Sequence, residues 1–310
     1  MPTRIGLALG SGGARGLAHC GVLEVLARAG VPIACMAGTS MGAIVGALYA
    51  REPDAGRVWR HLRTYIEDRE FADYWAAFVP RHNGEDREDA RPWSGLYDFM
   101  HRGRVAVRAL TTESAERRER LHGPLSRLFP PDVQLADLSI PLRVVALDLV
   151  TGAMVAYDDG PVVDALYASC AIPGVFPPAV RGGHQVCDAG GPFRTPVEAC
   201  RAMGADLVVA VDIPAYQEPQ LRTGFDIGLR STVLALDRLN DKVVAGADVV
   251  IRPAVSHVHW ADFKAGGEIR EAGRVAARTA LPALDRARRD ADSPWRRLAR
   301  RLAAVGNGGS

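Results

Sequence analysis

The chain has 310 residues, of which 48% are hydrophobic, and a formal net charge of +2 at pH 7. This length and apolar fraction suffice for one large α/β domain with a smaller appended segment. The near-neutral charge argues against a dedicated nucleic-acid-binding protein. The five cysteines show neither CxxC nor metal-ligand spacing, which predicts buried free thiols in a reducing compartment. The N-terminus lacks a secretory signal pattern, so a cytoplasmic protein is expected.

The first fifty residues alternate between strand-like and helix-like segments. An apolar run at 4–9 precedes the glycine turn GSGGARG at 10–16, and a helix is predicted over 16–28. A second apolar run at 31–37 precedes the turn GTSMG at 38–42 and a helix over 41–51. This alternation implies parallel strands with crossover helices. The uncharged stretch 29–50 is interrupted by Pro32 and the second turn, so it predicts buried structure rather than a membrane span.

The alternation of strand-like and helix-like segments resumes after a segment of different composition. Residues 52–138 are richer in charge and aromatics, which predicts helices and a polar loop laid over the sheet. We expect residues 1–284 to form one domain and residues 285–310 a basic helix with a flexible tail. The later predicted elements are strands at 142–149, 153–157, 185–188, 207–213 and 243–251, and helices at 161–170, 196–203 and 268–280.

The C-terminal segment 293–305 has the pattern of a short amphipathic helix. Ser293 and Pro294 suit a helix start, and arginines occupy much of the polar face. The apolar face carries Trp295, Leu298, Leu302 and Val305 at helical spacing. Such a helix suits peripheral contact with an anionic membrane. The alternative is that the same apolar stripe packs on the domain while the arginines face water.

Ser40 is the strongest candidate nucleophile. It lies in a G-x-S-x-G turn between a strand and a helix, where flanking glycines permit a cramped turn that exposes the hydroxyl. The alternative is that Ser40 only caps the helix. The first glycine turn can present unpaired backbone N–H groups that would hold an oxyanion. A nucleophile and an anion hole on adjacent strands predict acyl transfer to or from serine.

The serine needs a proton acceptor, and Asp188 is the most distinctive candidate. It ends an apolar strand in VCDAGG at 186–191, where small residues allow a close approach to another turn. A partly desolvated aspartate can act as the base directly. The alternative is a turn aspartate beside glycines. The downstream histidines lack a comparable context, and His19 is predicted to be a hydrogen-bonded structural residue.

Several motifs occur in an order that resembles the patatin-like phospholipase family. They are GSGGARG at 10–16, LAH at 17–19, GVL at 21–23, GTSMG at 38–42, SCAIPGVFPP at 169–178 and DAG at 188–190. The resemblance covers most of residues 5–215. It implies a three-layer α/β/α sandwich with a mostly parallel central sheet, and lipid acyl esters as substrates. It also implies a Ser40–Asp188 dyad without a catalytic histidine, and an oxyanion hole at Gly12 and Gly13 supported by Arg15.

The expected reaction is hydrolysis of a phospholipid or lysophospholipid ester, with the Met41 amide completing the oxyanion hole. No metal or other cofactor is expected, because no His/Cys/carboxylate cluster has ligand spacing. The family pattern has glycine after the aspartate, where this chain has Ala189; a positive φ there would cost alanine about 1 kcal/mol. An acyltransferase or thioesterase using the same serine, and a catalytically weak scaffold of the same fold, remain alternatives. A Rossmann dinucleotide-binding motif is excluded because Arg15 stands where the G-x-G-x-x-G pattern needs its third glycine. A P-loop is excluded because no Gly-Lys-Ser/Thr is present.

Overall fold

The computed structural model describes residues 3–76, 79, 114–216, 221 and 223–293. Within them, eight strands form one sheet: β1 (Ile5–Leu9), β2 (Ile33–Thr39), β3 (Leu142–Asp148), β4 (Met154–Tyr157), β5 (Ala179–Arg181), β6 (His184–Asp188), β7 (Leu207–Val211) and β8 (Val249–Ile251). Their order is β5-β6-β3-β2-β1-β7-β8, and β4 also pairs with β3. The strands from β3 to β8 in this order are parallel to their neighbours, whereas β4 and β6 are antiparallel to β3, and β5 is antiparallel to β6.

Helices cover both faces of this sheet, so the architecture is α/β/α. Alternate residues of β1 divide between the two cores: Leu7 packs with the larger helical layer and Ala8 with the smaller one. This division is expected for a strand buried on both faces. The helices are α1 (Ala18–Arg28), α2 (Met41–Arg51), α3 (Ala55–Ile66), α4 (Arg69–Ala76), α5 (Glu119–Leu128), α6 (Val162–Cys170), α7 (Val197–Arg201), α8 (Gly224–Val244) and α9 (Gly266–Ala291).

Helices α1 and α9 cross in close contact beneath the first glycine turn. A Cβ atom added at Gly21 or Gly273 would lie 1.9 or 2.0 Å from a carbonyl oxygen of the other helix, so both positions require glycine. The same crossing buries Glu24, whose carboxylate accepts hydrogen bonds from Arg270 and Arg274, each at 2.7 Å from an Nε atom. A buried carboxylate with two arginine partners keeps its charge compensated.

Most elements lie where the sequence predicts them, but several differ, among them the unpredicted strand β5. The first glycine turn forms a short 3₁₀ turn over Gly13–Leu17 before α1. The strand predicted at 243–251 is wrong in its first part, because Val243 and Val244 end α8 and the strand covers only Val249–Ile251. Helix α8 itself was not anticipated; a capping box of Thr223 and Asp226 begins it.

The last described helix extends further toward the C-terminus than the sequence predicts. Helix α9 continues to Ala291, beyond the expected boundary at residue 284. The amphipathic helix predicted at 293–305 lies outside the described residues, apart from Ser293. In the described ranges, no helix combines the length and apolar character needed to cross a membrane.

Candidate active site

Ser40 occupies a strained strand-to-helix turn between β2 and α2. Its backbone has φ 54° and ψ −123°, and among the described residues no other non-glycine residue has a positive φ. Gly42 permits this turn, because a Cβ there would lie 2.3 Å from the carbonyl oxygen of Leu9. A nucleophile elbow has this combination of a strained serine and close-packed glycines.

Ser169 fixes the elbow from the neighbouring helix α6. The backbone N–H of Ser40 donates to Ser169 Oγ at 2.8 Å, and the Ser169 hydroxyl donates to the carbonyl oxygen of Val145 at 2.6 Å. The sequence analysis uses Ser169 only as part of the motif at 169–178, so this positioning contact was missed. A serine among apolar neighbours near the end of a predicted helix was the available signal.

Asp188 lies at the end of β6, 9% exposed, beside the Ser40 side chain. Its carboxylate accepts a hydrogen bond from the backbone N–H of Gly190 at 2.6 Å. Burial raises the pKa of Asp188 to about 6, although the Gly190 amide and the nearby Ser40 hydroxyl both favour the ionised form. The thiol of Cys170 also lies near Ser40, and burial raises the pKa of this thiol well above its usual value, so it stays protonated.

Ala189 creates no backbone strain next to Asp188. Since Ser40 is the sole described non-glycine residue with a positive φ, Ala189 has an ordinary conformation. Its side chain is fully buried against the smaller core. The strain that alanine would suffer at a positive φ therefore does not arise here.

The first glycine turn brings unpaired backbone amides toward Ser40. The N–H groups of Gly12 and Gly13 make no backbone hydrogen bond with a described residue, and neither does that of Met41, the first residue of α2. Amides at such helix starts favour a negative charge. Three other amides fix the turn: those of Gly10, Ser11 and Ala14 donate to the carbonyl oxygens of Val211, Arg194 and Trp260 at 3.0, 2.9 and 2.7 Å.

Arg15 and His19 both bind backbone carbonyls of this turn. The Arg15 guanidinium donates to the carbonyl oxygens of Gly12 at 3.4 Å and Pro214 at 2.9 Å. His19 Nε2 donates to Gly10 at 2.7 Å, which confirms the predicted structural histidine. Burial lowers the pKa of His19 to about 4, so its ring is neutral at physiological pH. No hydrogen bond joins a described histidine to the Ser40 or Asp188 side chain.

A cavity of about 580 Å³ opens at Ser40. Its walls are mainly apolar and aromatic, and arginines stand along one side, which suits an acyl chain whose polar end faces water. Across the described ranges, no group of three or more His, Cys, Asp and Glu side chains could hold a metal. Apolar lining residues include Ile44, Leu62, Ile66, Phe71, Trp75, Leu121, Leu125, Ile172, Trp260 and Phe263; the arginines are Arg117, Arg120 and Arg127.

Comparison with known proteins identifies the family of this chain. The family model described as patatin-like phospholipase matches residues 7–201. Human patatin-like phospholipase domain-containing protein 6 is 32% identical over 244 residues, which cover 77% of this chain and 16% of that protein. An uncharacterized NTE family protein of Mycobacterium tuberculosis is 34% identical over 210 residues, 68% of this chain and 49% of that protein. The crystal structure of VipD from Legionella pneumophila aligns with a TM-score of 0.49 at 13% identity, over 91% of this chain and 67% of that chain.

The chain belongs to the patatin-like phospholipase family, since the family model spans more than half of it. It spans half or less of the lengths of these curated relatives. Family membership agrees with the mixed α/β fold and its mostly parallel sheet.

Proposed function

We propose that the protein hydrolyses acyl esters of phospholipids or lysophospholipids through a Ser40–Asp188 dyad. The observation that carries this proposal is the position of the strained Ser40 beside the buried carboxylate of Asp188. A serine hydroxyl becomes a nucleophile only when a base accepts its proton. With a pKa near 6, Asp188 is ionised at neutral pH and still basic enough to take that proton.

The reaction follows in two halves. Ser40 Oγ attacks the ester carbonyl carbon while its proton passes to Asp188. The amides of Gly12, Gly13 and Met41 stabilise the oxyanion, which collapses to an acyl-serine as the alcohol leaves with the proton from Asp188. Water then attacks the acyl-serine, with Asp188 accepting its proton, and the fatty acid is released as Ser40 Oγ recovers the proton.

Two further contacts support these roles. The Arg15 guanidinium braces the carbonyl of Gly12, so the side chain keeps the glycine turn in a shape that directs its amides outward. The apolar cavity beside Ser40 would exclude water around the acyl chain, which strengthens the electrostatic contribution of the amides.

The test combines labelling with paired substitutions. A fluorophosphonate probe should label the protein at Ser40, and Ser40→Ala should abolish labelling. Ser40→Ala and Asp188→Asn should each lower kcat/KM on p-nitrophenyl butyrate by about 10³-fold or more, and the double variant should be hardly worse than either. The matched controls Ser231→Ala and Asp164→Asn, at exposed helical positions, should retain activity. A folded Asp188→Asn variant with nearly full activity would refute the dyad.

A further inference from the structure

A second cavity, of about 390 Å³, lies on the other side of the glycine turn. Gly13 and Ser40 line the first cavity, whereas Ser11, Gly12 and Gly190 line the second, and Trp260 borders both. The second cavity therefore reaches the oxyanion turn and the Asp188 loop from the side opposite the apolar one. A substrate ester held at Ser40 could extend into both spaces.

Three arginines, Arg15, Arg194 and Arg230, line this second cavity. The carboxylates near them are Asp237, which pairs with Arg194, and Asp226, which accepts a hydrogen bond from the Thr223 amide at 2.8 Å. Asp188 adds a third carboxylate nearby, hydrogen-bonded to the Gly190 amide at the cavity wall. The positive character of the cavity therefore rests on its lining, which has three guanidinium groups and one carboxylate, that of Asp226. We call this space the arginine cavity.

The charge on Arg15 is buried without an acidic partner of its own. The side chain is 9% exposed and donates to the carbonyl oxygens of Gly12 and Pro214. It forms no salt bridge with any carboxylate in the described part of the chain. Burial and the neighbouring Arg194 lower the pKa of Arg15 to about 10, so it remains charged at neutral pH. Asp237, already paired with Arg194, compensates this buried charge only in part, and an anion in the cavity would offset the remaining cost.

Apolar side chains form much of the remaining wall. They are those of Ile213, Ala215, Leu229, Val233 and Leu236, beside Tyr216. Apolar walls strengthen hydrogen bonds from guanidinium groups to phosphate oxygens. Arg230, whose Nη1 donates to the Tyr216 carbonyl oxygen at 2.9 Å, has further N–H donors available for such an oxygen.

We infer that the arginine cavity binds the phosphate of the substrate's alcohol portion, with Arg194 and Arg230 as specificity-determining residues. This inference rests on the proposed function. The acyl chain occupies the apolar cavity, the ester carbonyl lies at the glycine turn, and the phosphate-bearing alcohol extends into the arginine cavity. Phosphate-bearing lipids are then preferred over neutral glycerides of the same acyl chain.

The experiment measures a ratio of specificity constants. kcat/KM is determined for 1-lauroylglycerol 3-phosphate and for 1-lauroylglycerol, both below their critical micelle concentrations. The unmodified protein should prefer the phosphate ester, and Arg230→Met and Arg194→Met should each lower the ratio by about tenfold or more. Arg230→Lys, which keeps the charge but not the planar group, should lower it less. Arg238→Met on the same helix, 86% exposed at its side chain, is the matched control and should leave the ratio unchanged.

Further measurements separate the possible outcomes. Thermal melts verify that each variant is folded. Glycerol 3-phosphate, a free phosphate ester, should inhibit hydrolysis of 1-lauroylglycerol, and it should inhibit the Arg230→Met variant less. Inhibition without a preference for the phosphate-bearing lipid would mean that the cavity binds free phosphates, and it would overturn the headgroup role. An equal loss on both lipids in Arg230→Met would also overturn it. If p-nitrophenyl butyrate hydrolysis survives Ser40→Ala, the proposed function itself fails, whereas Ser40-dependent hydrolysis without a phosphate preference rejects only the arginine cavity.

Discussion

Replacing Ser40 by glycine should make the folded protein more stable than replacing it by alanine. Both variants lack the hydroxyl, so they differ at this position only in the methyl group and the backbone freedom. The backbone at residue 40 has φ 54°, which alanine adopts only with strain and glycine adopts readily. The comparison therefore measures the strain stored in the elbow.

The expected difference is small but measurable. A non-glycine residue in such a conformation costs about 1–3 kcal/mol. Glycine loses about 0.5–1 kcal/mol more conformational entropy on folding than alanine does. The net advantage of Ser40→Gly is thus about 0.5–2 kcal/mol, and each kcal/mol shifts the Tm by roughly 2–4 °C in a domain of 150–250 residues.

Thermal melts of the two variants provide the assay, and Ser231 on α8 provides the control. Ser231 is exposed and helical, so glycine there should be less stable than alanine by about 1 kcal/mol. The order of the two substitutions should therefore reverse between the two sites. If glycine is also the less stable replacement at position 40, the elbow stores no strain and the reasoning is refuted.

Other outcomes follow from the same site. Because burial raises the Asp188 pKa to about 6, kcat/KM should fall about tenfold from pH 7.5 to pH 5, and a flat profile would reject Asp188 as the base. A raised pKa means that the protonated carboxyl favours folding below the unfolded pKa of about 3.9 and that this stability is lost as the pH rises through 6. Asp188→Asn should therefore raise the Tm more at pH 8 than at pH 5. On p-nitrophenyl esters, each added methylene should raise kcat/KM about fourfold until the apolar cavity is full, whereas no gain with length would contradict an acyl site there. Activity should survive EDTA, and loss with EDTA that calcium restores would contradict a metal-free mechanism.

Local patterns in the sequence predict the centre of the site well. Ser40 follows from the spacing of two glycines between an apolar run and a helix, and Asp188 from its place at the end of an apolar strand. Such signals depend on neighbours in the chain and on burial of both sheet faces. Which roles the two residues have stays a prediction until it is tested.

Contacts between distant segments could not be predicted from local sequence patterns. Ser169 bonds a residue 129 positions earlier in the chain, and no local spacing encodes that pairing. Arg194 and Arg230 converge only because a loop after β6 and helix α8 border the same space. Helix α8 was missed because Ile227 and Leu234 are exposed on its outer face, which blurs the periodicity of an amphipathic helix.

The nucleophile and the base are attached to the same helix end. Ser40 is bound through its N–H to Ser169 near the end of α6, and the N–H of Asp188 donates to the Ala171 carbonyl directly after it, at 3.0 Å. Helix α5, whose Leu125 lines the apolar cavity, packs against α6. The oxyanion turn is fixed to β7, to Trp260 and, through Ser11, to Arg194, which follows Asp188 in the chain.

The catalytic groups thus have two main supports, which are joined by the bond of Ser11 to Arg194 and by the packing of Gly42 against Leu9. A shift of α6 transmitted from a bound acyl chain through α5 would carry Ser40 and Asp188 together, so the distance between them would be preserved. The same shift would change the alignment of both with the amides of Gly12 and Gly13. How much deformation the site tolerates therefore depends on the alignment of Ser40 and Asp188 with these amides. Rigidity within either support does not by itself maintain that alignment.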